Sequence, residues 1–545
     1  MKTKILPPTP SAYAYPLLIK TLLTTPLIYA PEQKIIYRDQ KEYTYSQFGK
    51  RICQLAHALG KLGVQAGNTV AVMDWDSHRY LECYFAVPMI GAVLHTVNVR
   101  LSSEQLLYTI NHAEDDVIMV HADFLPMLAA IRDNLTTVKK IILLRDSSDT
   151  PLSQDGEYEQ LLGEQPEDYS FPDFDENSVA TTFYTTGTTG LPKGVYFSHR
   201  QLVLHTYGIL AGICAYDSQA RISSSDVYMP ITPMFHVHAW GMPYLMTLLG
   251  CKQIYPGRYE PATLLKLITT NKVTFSHCVP TILHMLLSSP AIAGCDLSGW
   301  KVIIGGSALS KGMCNQALQH GINIFTGYGM SETCPVLTLA NFKPHMKEWD
   351  ADSQVTVRCR TGLPINKVVL ELFDPNGLPV PHDGKSTGEV VVRAPWLTQG
   401  YFKDEEKSRE LWAGGWLHTG DIGFIDREGY LQITDRLKDV IKTGGEWISS
   451  LELEDIISQH PGVGEVAVIG IQDAKWGERP MALVVAKPGS AETLRAEDIL
   501  AAVKAHVDKG TLPKYGMPEK VLIVDQIAKT SVGKINKKQL RRDFC

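Results

Sequence analysis

No stretch of about 18 apolar residues occurs in this chain, so no membrane-spanning helix is expected. None of its ten cysteines are close-spaced, which leaves zinc ribbons and CxxC redox chemistry unsupported. Cysteines dispersed through a long chain fit a reducing compartment, and a cytoplasmic location is expected. Excess basic charge is missing as well: the net charge is −6 and the pI near 6.3. That disfavours a nucleic-acid binder with a broad basic face, and no nucleic-acid partner is expected. Internal repeats and low-complexity tracts are absent. His236 and His238 form a close pair but lack the helical spacing of a two-ligand metal site. The apolar stretch 15–22 carries Lys20 and no cleavage-site pattern. It reads as an amphipathic helix packed on the body, with peripheral membrane contact at most.

What is present is a soluble-type composition, 44% apolar and 20% charged, over 545 residues. That length suggests roughly three to four domains or subdomains. Phe48, Ile52, Leu55, Leu59 and Leu62 recur at helical spacing, and residues 69–73 (TVAVM) then read as a buried strand. Residues 117–120, 140–144 and 301–304 repeat the strand signal. Alternating strands and helices imply an α/β fold of mostly parallel sheets covered by helices, with ligands at the carboxyl ends of strands. Beyond Gly362, residues 368–373, 388–393 and 429–433 read as short strands joined by turns, a smaller β-rich subdomain. Residues 435–439 (DRLKD) hold four charges in five positions, a plausible connector. The last hundred residues or so suffice for a small α+β domain.

Residues 184–194 read YTTGTTGLPKG. Glycines let backbone N–H groups approach a ligand closely, threonines add donors, and Lys193 adds a point charge suited to phosphate. A strand over 178–184 leads in, β-favouring residues lead out, and Ser198 is placed to cap a helix near Gln201. A surface hairpin explains the glycines but not the dense threonines beside a lysine. The loop is not a Walker A motif: counting from Gly187, Pro192 stands where the second glycine belongs. Gly533-Lys534 fails the same test, because Ala528 sits at the first glycine position.

Seven motifs stand in one order: YTTGTTGLPKG (184–194), PMFHVHAWG (233–241), GGSALS (305–310), GYGMSET (327–333), WLHTGD (416–421), DRLKDVIKTGGEWISS (435–450) and KTSVGKINK (529–537). Together they resemble the adenylate-forming superfamily of acyl-CoA synthetases, adenylation domains and luciferases, over nearly the whole chain. GGEWISSLELE (444–454) with PMFHVHAW looks most like the medium- and long-chain fatty acyl-CoA synthetases. The resemblance implies a two-step reaction: a carboxylate attacks the α-phosphate of ATP, giving acyl-adenylate and pyrophosphate, and the thiol of coenzyme A then displaces AMP. It also implies an N-terminal domain over 1–434, a hinge at 435–439 and a mobile C-terminal domain over 440–545. A homodimer through the N-terminal domain is implied too.

Residue by residue, the resemblance assigns the phosphates to Thr185, Thr186, Gly187, Thr188, Thr189, Gly190 and Lys193. Lys534 matches the adenylation lysine, bridging the substrate carboxylate and an α-phosphate oxygen. Tyr328 and Gly329, with Gly305, Gly306 and Ser307, line the adenine; Thr333 meets the α-phosphate; Glu332 holds Mg²⁺, with Thr185 beside it. Asp421 accepts from the ribose hydroxyls, near Ile433; Arg436 adds a ribose or phosphate contact; Lys438 and Lys442 follow at and after the hinge. Gly444, Gly445, Glu446 and Trp447 match the loop lining the coenzyme A channel. His236 and Trp240 belong to the acid pocket, where the matching tryptophan gates the acyl tunnel in fatty-acid enzymes. Two departures stand out: Ala528 where proline is usual, and His238 where asparagine is expected. Phe235-His236-Val237 replaces the aspartate of amino-acid-activating relatives, so α-amino acids are not expected. The acid is expected to be a medium- to long-chain fatty acid. The alternatives are a short or unusual acid (methylthio-, alicyclic or aromatic) and delivery to a carrier protein.

Overall fold

Parallel strands with the side chains of both faces buried dominate the first half of the chain. The computed structural model describes residues 3–147, 155–185, 191–443, 446–490, 492–530 and 534–545, with Glu446 and Trp447 described by their backbone alone. One sheet orders the parallel strands Lys140–Leu144, Asp115–His121, Thr69–Met73, Val93–Thr96 and Val179–Tyr184, with Gly194–Ser198 antiparallel at the edge. Thr69–Met73 is buried at every position, as its unbroken apolar run requires of a strand covered on both faces. A second sheet runs parallel through Lys34–Tyr37, Lys252–Tyr255, Val227–Tyr228, Phe275–Cys278, Lys301–Ile304 and Asn323–Gly329. Antiparallel strands close both of its edges.

Local chemistry sets the helix starts. Thr44 and Gln47 form a capping box at the head of helix Tyr45–Lys61, whose apolar face (Phe48, Ile52, Leu55, Leu59) is buried. Ser198 and Gln201 do the same for helix His199–Cys214, so the strand leaving residue 193 turns directly into a helix.

The N-terminal expectation is corrected. Residues 15–20 are not helical; the helix is Thr21–Tyr29. Tyr15 precedes Pro16, and a residue before proline is pushed out of the α region. The amides of Leu17 and Ile19 instead donate to Glu176 Oε2 (2.7 Å) and His199 Nδ1 (3.2 Å), which ties the segment to the body.

The β-rich part is an antiparallel sheet of Val369–Phe373, Gly388–Arg393, Leu417–Ile425 and Leu431–Arg436. Its last strand runs on to Arg436, so the charged segment 435–439 begins inside the sheet. From Ile441 onward a further sheet, including Val463–Asp473 and Gly477–Ala486, packs on helices Ser450–Ser458 and Ala496–Asp508 around its own apolar core. The final helix, Lys537–Phe544, buries Leu540 against the other face of that sheet. Its Lys537 pairs with Glu454 (2.8 Å), and Arg541 with Asp439 (2.7 Å), which fastens the chain's end to the segment entering this unit. Toward the body, Asp455 Oδ1 accepts from the Lys311 amide (3.0 Å), and Gly312 lies against the Ser458 carbonyl so closely that a Cβ would sit 2.9 Å from its oxygen.

Candidate active site

The strands Val179–Tyr184 and Gly194–Ser198 form an antiparallel hairpin, with Tyr184 opposite Gly194. Past that pair the Thr185 amide donates to the Lys193 carbonyl (2.9 Å), and the Lys193 amide to Thr185 Oγ1 (3.4 Å). The strand ends therefore hold the base of the loop, as the strand-in, strand-out pattern suggests. Thr186, Gly187, Thr188, Thr189 and Gly190 lie outside the described residues. The Lys193 ammonium rests 4.4 Å from the centre of the Tyr401 ring, and the Tyr401 hydroxyl donates to Glu332 Oε1 (2.7 Å).

Two strand ends of the second sheet supply the opposite wall. Lys301–Ile304 runs into Gly305, Gly306 and Ser307, and the neighbouring Asn323–Gly329 carries Tyr328 and Gly329. A Cβ on Gly329 would lie 1.7 Å from the Pro335 oxygen, so only glycine fits there. The Tyr328 hydroxyl donates to Asp421 Oδ2 (2.6 Å), while Arg436 Nε lies 3.2 Å from Asp421 Oδ1. Register explains that pair: Asp421 and Arg436 face each other across adjacent antiparallel strands. Asp421 holds the Arg436 guanidinium above its usual range, whereas burial and the nearby Arg436 lower the Lys438 ammonium. Ile433 sits on the same strand, its amide donating to Thr361 Oγ1 (2.9 Å). Thr333 is fully buried and its hydroxyl donates to the Pro335 carbonyl, within its own turn.

Lys534 reaches in from the C-terminal unit. Its Cε is 3.1 Å from where a Cβ on Gly306 would stand, and it lines the same cavity as His236, Trp240, Gly305 and Tyr328. Burial and the Arg436 charge lower its ammonium to about 8, against the opposing pull of Asp421 and Glu332. Burial, helped by Lys534 and Arg100, lowers His236 to about 3, so its imidazole is neutral at physiological pH.

The acid side is built on strained backbone. Val237, His238, Ala239 and Trp240 all have positive φ (48°, 56°, 47° and 60°), a left-handed turn that non-glycine residues rarely enter. Side chains hold its lead-in: Asp76 accepts from the Met234 amide (2.8 Å), the Tyr84 hydroxyl donates to the Met234 carbonyl, and Thr96 donates to the Phe235 carbonyl (3.0 Å). The turn sets Trp240 against Gly305, where a Cβ would come within 2.8 Å of the indole, and 5.1 Å from the His277 ring. His238 is fully buried among the rings of Tyr84, Phe183, Phe197 and Tyr244, with neither ring nitrogen bonded. The space left between Trp240, Met242, Ile303, Val336, Leu339 and Lys534 is about 30 Å³, room for about two water molecules.

Three further expected residues belong to the C-terminal sheet. Lys442, Glu446 and Trp447 lie on paired strands of the C-terminal sheet, where the exposed Lys442 donates its amide to Glu478 (2.9 Å). Gly444 and Gly445 lie outside the described residues. Tyr401, Asp76, Tyr84 and His277 were not anticipated. Their partners are far away in sequence, and none sits in a motif with a chemical signature of its own.

Among the described residues, no group of three or more His, Cys, Asp or Glu side chains could enclose a metal ion. Glu332 lies between the 184–194 hairpin, which it meets through Tyr401, and Lys534, whose ammonium feels its charge.

Comparison with known proteins agrees with this geometry. The AMP-binding enzyme family matches residues 29–402, and the AMP-binding enzyme C-terminal domain matches residues 452–534. The chain is 40% identical to the long-chain-fatty-acid–CoA ligase of Thermus thermophilus, over 92% of this chain and 90% of that one. It is 37% identical to the 3-methylmercaptopropionyl-CoA ligase of Ruegeria lacuscaerulensis, over 97% of each. Among solved structures, ATP-bound MatB from Rhodopseudomonas palustris superposes with a TM-score of 0.82 at 25% identity, covering 97% of this chain and 99% of that one.

Proposed function

Because this chain belongs to the AMP-binding enzyme family and is an AMP-forming acid–CoA ligase, we propose that it activates a medium- to long-chain fatty acid, with Lys534 and Glu332 carrying the first step. The observation that carries the site assignment is Lys534. A lysine from the C-terminal unit stands at Gly306 among His236, Tyr328, Asp421, Arg436 and Glu332.

The first step joins two anions, so fixed positive charge around the reacting phosphorus lowers its barrier. Lys193 and the threonines of the hairpin hold the β- and γ-phosphates. Tyr328 and the glycines at 305 and 306 bracket the adenine, and Asp421 takes the ribose hydroxyls. Lys534 donates to the incoming carboxylate and to an α-phosphate oxygen, stabilising charge as the acyl–phosphate bond forms and pyrophosphate leaves. Bound magnesium neutralises phosphate charge, and Glu332 is the side chain placed to hold it. Neutral His236 borders the acid carboxylate without adding a charge of its own. For the second step residues 440–545 rotate about 435–439. Lys534 then withdraws, and the 444–447 loop comes in to line the path of the coenzyme A thiol.

A second reading has its own support. With Trp240 against Gly305 the cavity is only about 30 Å³, which favours a small acid over a long one, and the relative from Ruegeria lacuscaerulensis is named for a short thioether acid. A long chain requires Trp240 to swing away from Gly305. The deciding experiment is AMP and acyl-CoA formation across straight-chain acids from acetate to palmitate, with 3-methylthiopropionate and benzoate added. A maximum at medium or long chains supports the first reading; a maximum at the shortest acids or the thioether establishes the second. Adenylate without thioester would point to a carrier-loading enzyme and overturn both.

A further inference from the structure

We propose that Tyr401 is a positioning residue of adenylate formation, a spacer that keeps the Lys193 ammonium and the Glu332 carboxylate apart while aiming both at the triphosphate. The inference rests on the ligase reading for its chemistry, but its binding test does not require turnover.

Segment 398–402 is strapped between the two parts it joins. The Thr398 amide donates to the Glu332 carbonyl (2.9 Å), and its hydroxyl to the Tyr196 carbonyl (3.0 Å). The Phe402 amide donates to the Gly194 carbonyl (2.8 Å), and Tyr401 bridges to Val195 in antiparallel fashion. Tyr401's own amide donates to Ser408 Oγ (2.8 Å). The backbone of Tyr401 is thus held from the phosphate hairpin on one side and from the Glu332 turn on the other.

Its side chain then meets two opposite charges in two different ways. Lys193 lies 4.4 Å from the ring centre, a cation–π contact. The hydroxyl donates to Glu332 Oε1 at 2.7 Å, a charge-assisted bond that fixes the plane of the carboxylate and leaves its second oxygen for a cation. Without the ring, ammonium and carboxylate are free to collapse into a direct ion pair. That pair would cancel the charges that the γ-phosphate and its magnesium need. A cation–π contact is weak enough for the triphosphate to displace.

Two variants separate the two contacts. Tyr401→Phe keeps the ring and loses the donor; Tyr401→Leu loses both. Calorimetry of acid-free enzyme with ATP, with and without Mg²⁺, reads the array directly, and Mn²⁺ bound in the presence of ATP is counted by electron paramagnetic resonance. Tyr401→Phe is expected to weaken metal-dependent ATP binding about tenfold, the worth of one hydrogen bond to a charged group, with metal-free binding little changed. Tyr401→Leu is expected to weaken both. In each variant, transfer of a supplied acyl-adenylate to coenzyme A remains at the wild-type rate. Circular dichroism and the melting temperature verify folding. Wild-type metal dependence in Tyr401→Phe, or equal losses in both half-reactions, would overturn the proposal. Failure of the wild type to make any thioester would instead refute the ligase reading, and the ATP and Mn²⁺ titrations would still decide the role of Tyr401.

Discussion

Single side chains in this crevice have been moved off their solution behaviour by burial. Lys534, lowered to about 8, sheds its proton as pH rises through that value, and the neutral amine cannot stabilise an α-phosphate. Adenylate formation is therefore expected to fall on the alkaline side from near pH 8, with no such limb for transfer from a supplied adenylate. Single-turnover profiles of the two half-reactions check this, and Lys534→Arg, always charged, should remove the limb. Lys534→Ala is expected to slow adenylate formation about 10²–10³-fold, as loss of one charge-stabilising donor typically does, and to spare transfer. Asp76 moves the other way: burial raises its carboxyl to about 7. The folded state then binds a proton that the unfolded chain releases near pH 4, so stability declines as pH rises from about 4 to 7. Asp76→Asn should flatten that decline and melt higher at pH 7 and above, by on the order of 2 kcal/mol, readable in melting curves at several pH values. The sequence shows the nearness of these groups unevenly. Asp421 and Arg436 lie in motifs and meet through strand register, whereas Tyr401 meets Glu332 across 69 positions.

At the scale of elements, the turn 237–241 and the strand end at Gly305 act as a pair. Gly305→Ala puts a methyl 2.8 Å from the indole, and Trp240 has to give way. Trp240→Ala should raise kcat/KM for longer or bulkier acids relative to short ones, by about tenfold or more, with ATP affinity unchanged. Gly305→Ala should alter the same ranking without adding space. A kcat/KM series from two to sixteen carbons reads both, and an unchanged ranking in both variants would remove Trp240 from acid selection. Strands and helices were the readily legible part of the chain, because periodicity and capping residues announce them: 69–73, 140–144, 301–304 and 388–393 are strands at those limits. The left-handed turn was not legible. Val237 and Trp240 favour extended backbone, and the side chains that hold the lead-in at Met234 and Phe235 (Asp76, Tyr84 and Thr96) come from far away in the chain. The helix expected at 15–22 failed for a related reason, since amides that a helix would use are taken by Glu176 and His199.

For the whole molecule, the C-terminal sheet has an apolar core separate from the main one, polar contacts join the two parts, and the arrangement seen here delivers Lys534 to the crevice. Asp455 to the Lys311 amide is one such contact, at 3.0 Å. Asp455→Ala is expected to slow adenylate formation several-fold, about the effect of one hydrogen bond, and to leave transfer to coenzyme A unchanged or faster. Separate assays of the half-reactions distinguish this from simple destabilisation, which would lower both. The closing helix carries a further consequence. Lys537 and Arg541 tie it to Glu454 and Asp439, and Lys534 stands just before it in the chain. A frameshift or stop codon after Asn536 would leave every crevice residue encoded, yet would remove the helix that follows Lys534. Such alleles should be as inactive as a lesion in the crevice itself.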